Sequence, residues 1–92
     1  MSWTVVFSGR AKKQTDKLPE RVRGLLFQLA CEIESSGPVR GDWPNYSKLP
    51  GYRNHCHLRK GRPTYVAVWR EFADKIGLVE VIYAGSHEKA PH

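Results

Sequence analysis

All four histidines of this chain, His55, His57, His87 and His92, fall in its second half. Histidine is the side chain best fitted to move protons near neutrality, because its ordinary pKa is about 6.5. RNA is cut without metal when a base takes the proton of a 2′-hydroxyl and an acid protonates the departing 5′-oxygen. Cationic groups must meanwhile hold the phosphate as its charge redistributes. The segment from Asn54 to Arg62 (NHCHLRKGR) supplies both kinds of group. Between Arg40 and Arg62 there are six basic residues and one acid, Asp42, with His55 and His57 in addition. On a strand, His55, His57 and Arg59 share one face, and Cys56, Leu58 and Lys60 the other. His87 follows Gly85-Ser86 after a strongly apolar run, an odd place for a core residue. If the last strand returns beside the first of these segments, His87 approaches His57 and Arg59. His92 is the final residue, and chain ends fray.

The candidates for proton transfer and its electrostatic support are therefore His57, His87, His92 and Arg59. Those for holding RNA and phosphate are Lys48, Arg53, His55, Lys60 and Arg62. Tyr46 and Tyr52 join them as base-stackers, since they lie in or beside a Gly/Pro loop amid positive charge. The other aromatics sit in apolar runs, where core packing explains them. A metal site would need ligands that converge, and alternation turns Cys56 away from both neighbouring histidines. No second Cys-x-x-Cys or His-x3-His spacing accompanies them. No metal and no cofactor is expected.

These groups must be positioned by one domain, since 92 residues hold a single core. A formal charge of +6 favours a polyanionic partner. Nothing resembles an export signal, and no run approaches the roughly 18 apolar residues that span a membrane. The two cysteines, Cys31 and Cys56, read as small buried thiols in a reducing compartment. A cytoplasmic protein without membrane contact is expected.

Trp3 to Phe7 reads as an opening strand, and Ser8 caps a short helix over residues 9–17. From Pro19 to Ser36 the apolar residues Val22, Leu25, Leu26, Leu29 and Ile33 recur at helical spacing. Ser35 to Pro38 ends that helix. Residues 39–51 read as a loop with Trp43 and Tyr46 packed down. Strands follow over 53–60, 64–71 and 76–84, then a polar tail. The order β-α-α-β-β-β is an α+β arrangement, an antiparallel meander with two N-terminal helices packed on one face.

Several features in this order resemble the RelE/ParE toxin superfamily of type II toxin–antitoxin systems. They are the basic loop carrying Lys48 to Gly51 (KLPG), the strand-turn-strand from His57 to Trp69 (HLRKGRPTYVAVW) and the close from Ala84 to His92 (AGSHEKAPH). The resemblance covers the whole chain, and the histidines bring it nearest the YafQ-type members. It implies a ribonuclease that cleaves mRNA in the ribosome, with ribosomal RNA contacts, and a cognate antitoxin that neutralises it. By the same resemblance Lys48 falls in the family's basic loop, and Arg59 and Arg62 near its phosphate-contacting strand. His87 sits where members carry a catalytic histidine or arginine, and His92 where a terminal tyrosine is common. Thr64 departs from the pattern, standing where many members have an arginine. Two other functions fit the charge: a ParE-like inhibitor of DNA gyrase that does no chemistry, and a basic RNA-binding protein without activity.

Overall fold

The computed structural model describes residues 3–90, and every structural statement here concerns those residues. The chain runs β1 (Thr4–Phe7), α1 (Gly9–Asp16), α2 (Glu20–Ser36), β2 (Ser47–Leu49), β3 (Arg53–Arg59), β4 (Tyr65–Phe72) and β5 (Lys75–Ser86), then a 3-10 turn over His87–Lys89. The strands form one sheet in the order β1-β5-β4-β3-β2. The expected meander is present as β3-β4-β5, antiparallel throughout. The sheet as a whole is mixed, because β1 pairs parallel with β5.

Local chemistry accounts for the helices. The Ser8 hydroxyl accepts the Ala11 N–H at 3.0 Å, which satisfies one orphan donor of α1. Pro19 precedes the first turn of α2, where its missing N–H costs nothing. The α2 stripe of Val22, Leu26, Leu29 and Ile33 is fully buried, and each such side chain contributes about 1.5–3 kcal/mol of burial. Gly37 ends α2 at φ 96°, with its N–H on the Ile33 carbonyl at 2.8 Å. A Cβ there would stand 3.1 Å from the Trp3 indole nitrogen, so both the conformation and the close approach require glycine.

Both helices pack on one face of the sheet. Ala11 of α1 and the α2 stripe meet Cys56, Leu58, Ala67, Trp69, Val79, Val81 and Ala84. Trp69 is completely buried, and its indole N–H donates to the Pro38 carbonyl at 3.0 Å. The opposite face is thinner: Val66, Val68 and Tyr83, with Leu49, Ile82 and Ala90 against them.

Four expectations change. Residues 47–49 form a strand inside the expected loop, paired antiparallel with β3; three residues are too few to show a period. The polar tail is in part structured, since β5 runs to Ser86 and the 3-10 turn follows. Cys31 is exposed, one helical position past the buried Ala30. Cys56 is buried as expected, and desolvation pushes its thiol up to about 12. The fourth change concerns Arg59. The register slips between His57 and Arg59, so Arg59 pairs with Tyr65 and leaves the alternation that His55 and His57 share.

The segment between α2 and β2 is held by Glu32. Its carboxylate accepts the Trp43 indole N–H at 2.8 Å and pairs with Arg40 at 3.4 Å. The next residue ties this segment to β3, because the Pro44 carbonyl accepts the His57 N–H at 2.8 Å. The Trp43 bond, with help from Gln28 and Arg40, holds the Glu32 carboxyl below its ordinary 4.5. A depressed carboxylate stabilises the fold fully above 4.5, and that contribution fades as pH falls through the folded-state value. Glu32→Gln is therefore expected to lower stability at pH 7 by up to about 1 kcal/mol, as for a partly exposed pair. It should also flatten the loss of stability below pH 4.5. Urea denaturation across a pH series checks this; parallel curves for the two proteins would contradict it.

Candidate functional site

On β3, Arg53, His55 and His57 alternate onto the face away from the helices, while Asn54, Cys56 and Leu58 point into the core. His87 enters from the 3-10 turn that ends β5. Since β4 lies between β3 and β5, and Val66 pairs with both His57 and Gly85, the buried Val66 forms a floor between the two sides. The three rings gather above it edge to face. Ring centroids lie 5.5 Å apart for His55–His57, 5.4 Å for His57–His87 and 6.2 Å for His55–His87. His55 is buried, His57 half-buried and His87 exposed. Burial first, then the charges of His87 and Lys60, hold His57 below its ordinary 6.5, so it stands neutral and able to accept a proton at pH 7.

A cavity of about 590 Å³ opens beside this cluster, lined by His57, Gly61, Arg62, Pro63, Thr64, His87 and Glu88. The turn that forms its rim is tied by Thr64, whose hydroxyl donates to the Gly61 carbonyl at 3.0 Å and accepts the Gly61 N–H at 3.2 Å. The Thr64 carbonyl also accepts the His87 N–H at 2.8 Å. Thr64, a gap when compared with an arginine, is here the residue that joins the turn to His87. Nothing in the sequence signals that role, because it runs through the backbone. Glu88, likewise unsuspected, brings a carboxylate to the cavity wall.

His87 is aimed by a second device. Tyr83, buried on the same face, donates its hydroxyl to the Ser86 carbonyl at 2.7 Å, one residue before His87. This requires the backbone of Gly85 to pass over the phenol. A Cβ at Gly85 would meet the Tyr83 hydroxyl at 2.8 Å and its ring at 3.1 Å.

Other candidates lie elsewhere. Arg62 lines the cavity, and Lys60 is near enough to act on His57. Arg59 is exposed but is not among the cavity's lining residues. Lys48 pairs with Asn54, which places it on the face opposite His55. Arg53 shares the histidine face, its Nε–H on the Pro50 carbonyl at 2.9 Å. Tyr46 packs on Trp69 with centroids 6.1 Å apart and donates its hydroxyl to Asn54 Oδ1 at 2.6 Å. Its ring and hydroxyl are committed to the helix side, so it is not a base-stacker at this cluster. Tyr52 is 65% exposed and stays available. His92 lies outside the described residues. Arg70, not singled out from the sequence, alternates onto the histidine face, where it pairs with Glu80 at 2.9 Å.

Solved structures similar to this one include bacterial toxins. A mutant of the E. coli toxin RelE in the free state superposes with a TM-score of 0.73 at 28% identity, covering 96% of this chain and 86% of that one. The chain has the RelE-like toxin superfamily fold. The RelE of the intact E. coli RelBE toxin–antitoxin complex agrees, with a TM-score of 0.67, 25% identity and coverage of 97% and 100%. An archaeal RelE–RelB complex from Pyrococcus horikoshii OT3 shares the fold alone, with a TM-score of 0.64, 13% identity and coverage of 98% and 100%. No protein-family model and no curated protein sequence matches the chain. Within this RelE-like fold the expected α+β class and the helices on one face are as read from the sequence.

The Gly85–Tyr83 contact is testable alone. Gly85→Ala should cost about 1–3 kcal/mol, the usual penalty of overpacking. Tyr83→Phe should cost about 1 kcal/mol for one lost hydrogen bond. Because the hydroxyl is the atom that a Cβ would strike first, Gly85→Ala should cost less in a Tyr83→Phe background. A double-mutant cycle by chemical denaturation measures that coupling; strict additivity would show that the contact does not shape this corner.

Proposed function

We propose that this protein is the toxin of a toxin–antitoxin pair, an endoribonuclease that cuts mRNA on the ribosome by metal-free acid–base chemistry. The observation that carries the reading is the convergence of His57 and His87, centroids 5.4 Å apart, on a cavity that Arg62 also lines. His57, half-buried and neutral, takes the proton of the 2′-hydroxyl. The 2′-oxygen then attacks the adjacent phosphorus, a P–O2′ bond forms and the P–O5′ bond breaks. His87, in its imidazolium form, gives its proton to the departing 5′-oxygen. The products are a 2′,3′-cyclic phosphate and a 5′-hydroxyl, with one proton taken up and one released. Arg62 and Lys60 offset the charge on the phosphate, and His55 supports His57 from the buried side. His92, which lies outside the described residues, takes an auxiliary role in this reading. Arg53, Tyr52, Lys48 and Arg59 hold the flanking mRNA or ribosomal RNA, the last two away from the scissile phosphate.

A cognate antitoxin follows from the kinship. The similar E. coli RelE is solved with an antitoxin peptide and within an intact RelBE complex. The net charge of +6 suits both an acidic antitoxin and RNA. The cytoplasm, where translation occurs, is the compartment this function needs.

Expression without the antitoxin should arrest growth and shorten mRNA. His87 is exposed, so His87→Ala should fold normally and lose roughly 10²–10⁴-fold in cleavage, the usual worth of a general acid or base. His57→Ala should lose a similar factor. Full arrest and cleavage by His87→Ala would remove His87 from the chemistry. Gyrase inhibition with intact RNA would sink the nuclease reading altogether.

A further inference from the structure

Cys56 faces the core, away from its neighbouring histidines, and so completes no metal site with them. The fold supplies a different third ligand. His55, His57 and His87 each offer one ring nitrogen, and these three atoms all lie within 4.8 Å of one another. We propose that His55, His57 and His87 form a site for one divalent transition-metal ion of the zinc class, and that its occupancy switches the nuclease off.

Zinc–nitrogen bonds of about 2.0–2.1 Å place tetrahedral ligand atoms roughly 3.3 Å apart. The cluster is therefore within a small side-chain adjustment of a ligand triangle, and the torsion that turns an imidazole is broad. Two ligands sit at alternate positions of β3, a strand held on both edges by β2 and β4. The third stands on the 3-10 turn after β5, where rotation of an exposed side chain covers the remaining distance. His57 Nδ1 is buried without a hydrogen-bond partner among the described residues, a polar atom whose desolvation a metal ion would offset.

The donor set selects the ion. Three neutral imidazoles and no carboxylate suit zinc, nickel, cobalt or copper and do not suit magnesium or calcium, which prefer oxygen. Three protein ligands leave a fourth position, on the side of the cavity lined by Arg62 and Glu88, for water or an anion. A metal ion there occupies lone pairs that proton transfer needs, so bound metal and nuclease chemistry exclude each other. The metal site stands without the nuclease reading; only the switching rests on it.

The test uses the untagged full chain, stripped with a chelator and titrated with Zn²⁺ by calorimetry and with Co²⁺ by visible absorption. The expected result is one ion per chain, with the intense bands of tetrahedral cobalt. Affinity should weaken at least about tenfold in His55→Asn and in His87→Ala, since even an outer-shell change costs that much. Binding of neither ion, or binding undiminished in His87→Ala, whose exposed position leaves the core untouched, would overturn the site. RNA cleavage is then measured with and without Zn²⁺. Loss of cleavage on Zn²⁺ addition, reversed by chelator and absent in a control nuclease, is expected. Unchanged cleavage by zinc-loaded protein would overturn the switch. Metal binding by a protein that never cleaves RNA would overturn the nuclease reading and with it the switch, and leave the metal site standing.

Discussion

The register of the central sheet depends on one act of burial. Cys56, Leu58, Ala67, Trp69, Val79 and Val81 must face α2, and strands alternate with a period of two. Once those side chains are inside, His55 and His57 are outside. A slip of one residue in β3 would bury both imidazoles under the helix and expose Cys56. The apolar stripe of α2 is thus what presents the histidines.

Two irregularities then refine what alternation gives. The slip in register after His57 turns Arg59 out of line and leads the chain into the turn closed by Thr64, which brings Arg62 to the cavity. At the end of β5, Gly85 lets Tyr83 reach the Ser86 carbonyl, and Thr64 takes the His87 N–H. His87 is therefore held from two directions by groups that do no chemistry.

Much of this was legible in the sequence, and for physical reasons. The α2 stripe and its Gly37 end are periodic and capped, so they declare themselves. The segregation of His55 and His57 from Cys56 follows from alternation alone. The approach of His87 was legible as a consequence of a meander. The short β2 was not, because three residues carry no period. Arg59 was misplaced because a bulge interrupts the rule that placed it. Cys31 was read as buried because it borders the stripe, where a rotation of one residue separates Ala30 inside from Cys31 outside. The role of Thr64 was invisible, since it acts through its carbonyl and through a turn. The three-histidine convergence needed the fold, because His87 lies far from His55 and His57 along the chain.

If two of those histidines move protons during RNA cleavage, the chemistry of the cut ends records it. The fragments released from mRNA in a translation reaction containing the purified protein can be analysed by mass spectrometry. Attack by the 2′-hydroxyl with proton transfer by His57 and His87 predicts a 2′,3′-cyclic phosphate or its 3′-phosphate hydrolysis product on one fragment, and a 5′-hydroxyl on the other. A 3′-hydroxyl with a 5′-phosphate would mean that water, not the 2′-oxygen, attacks, and would rule this chemistry out.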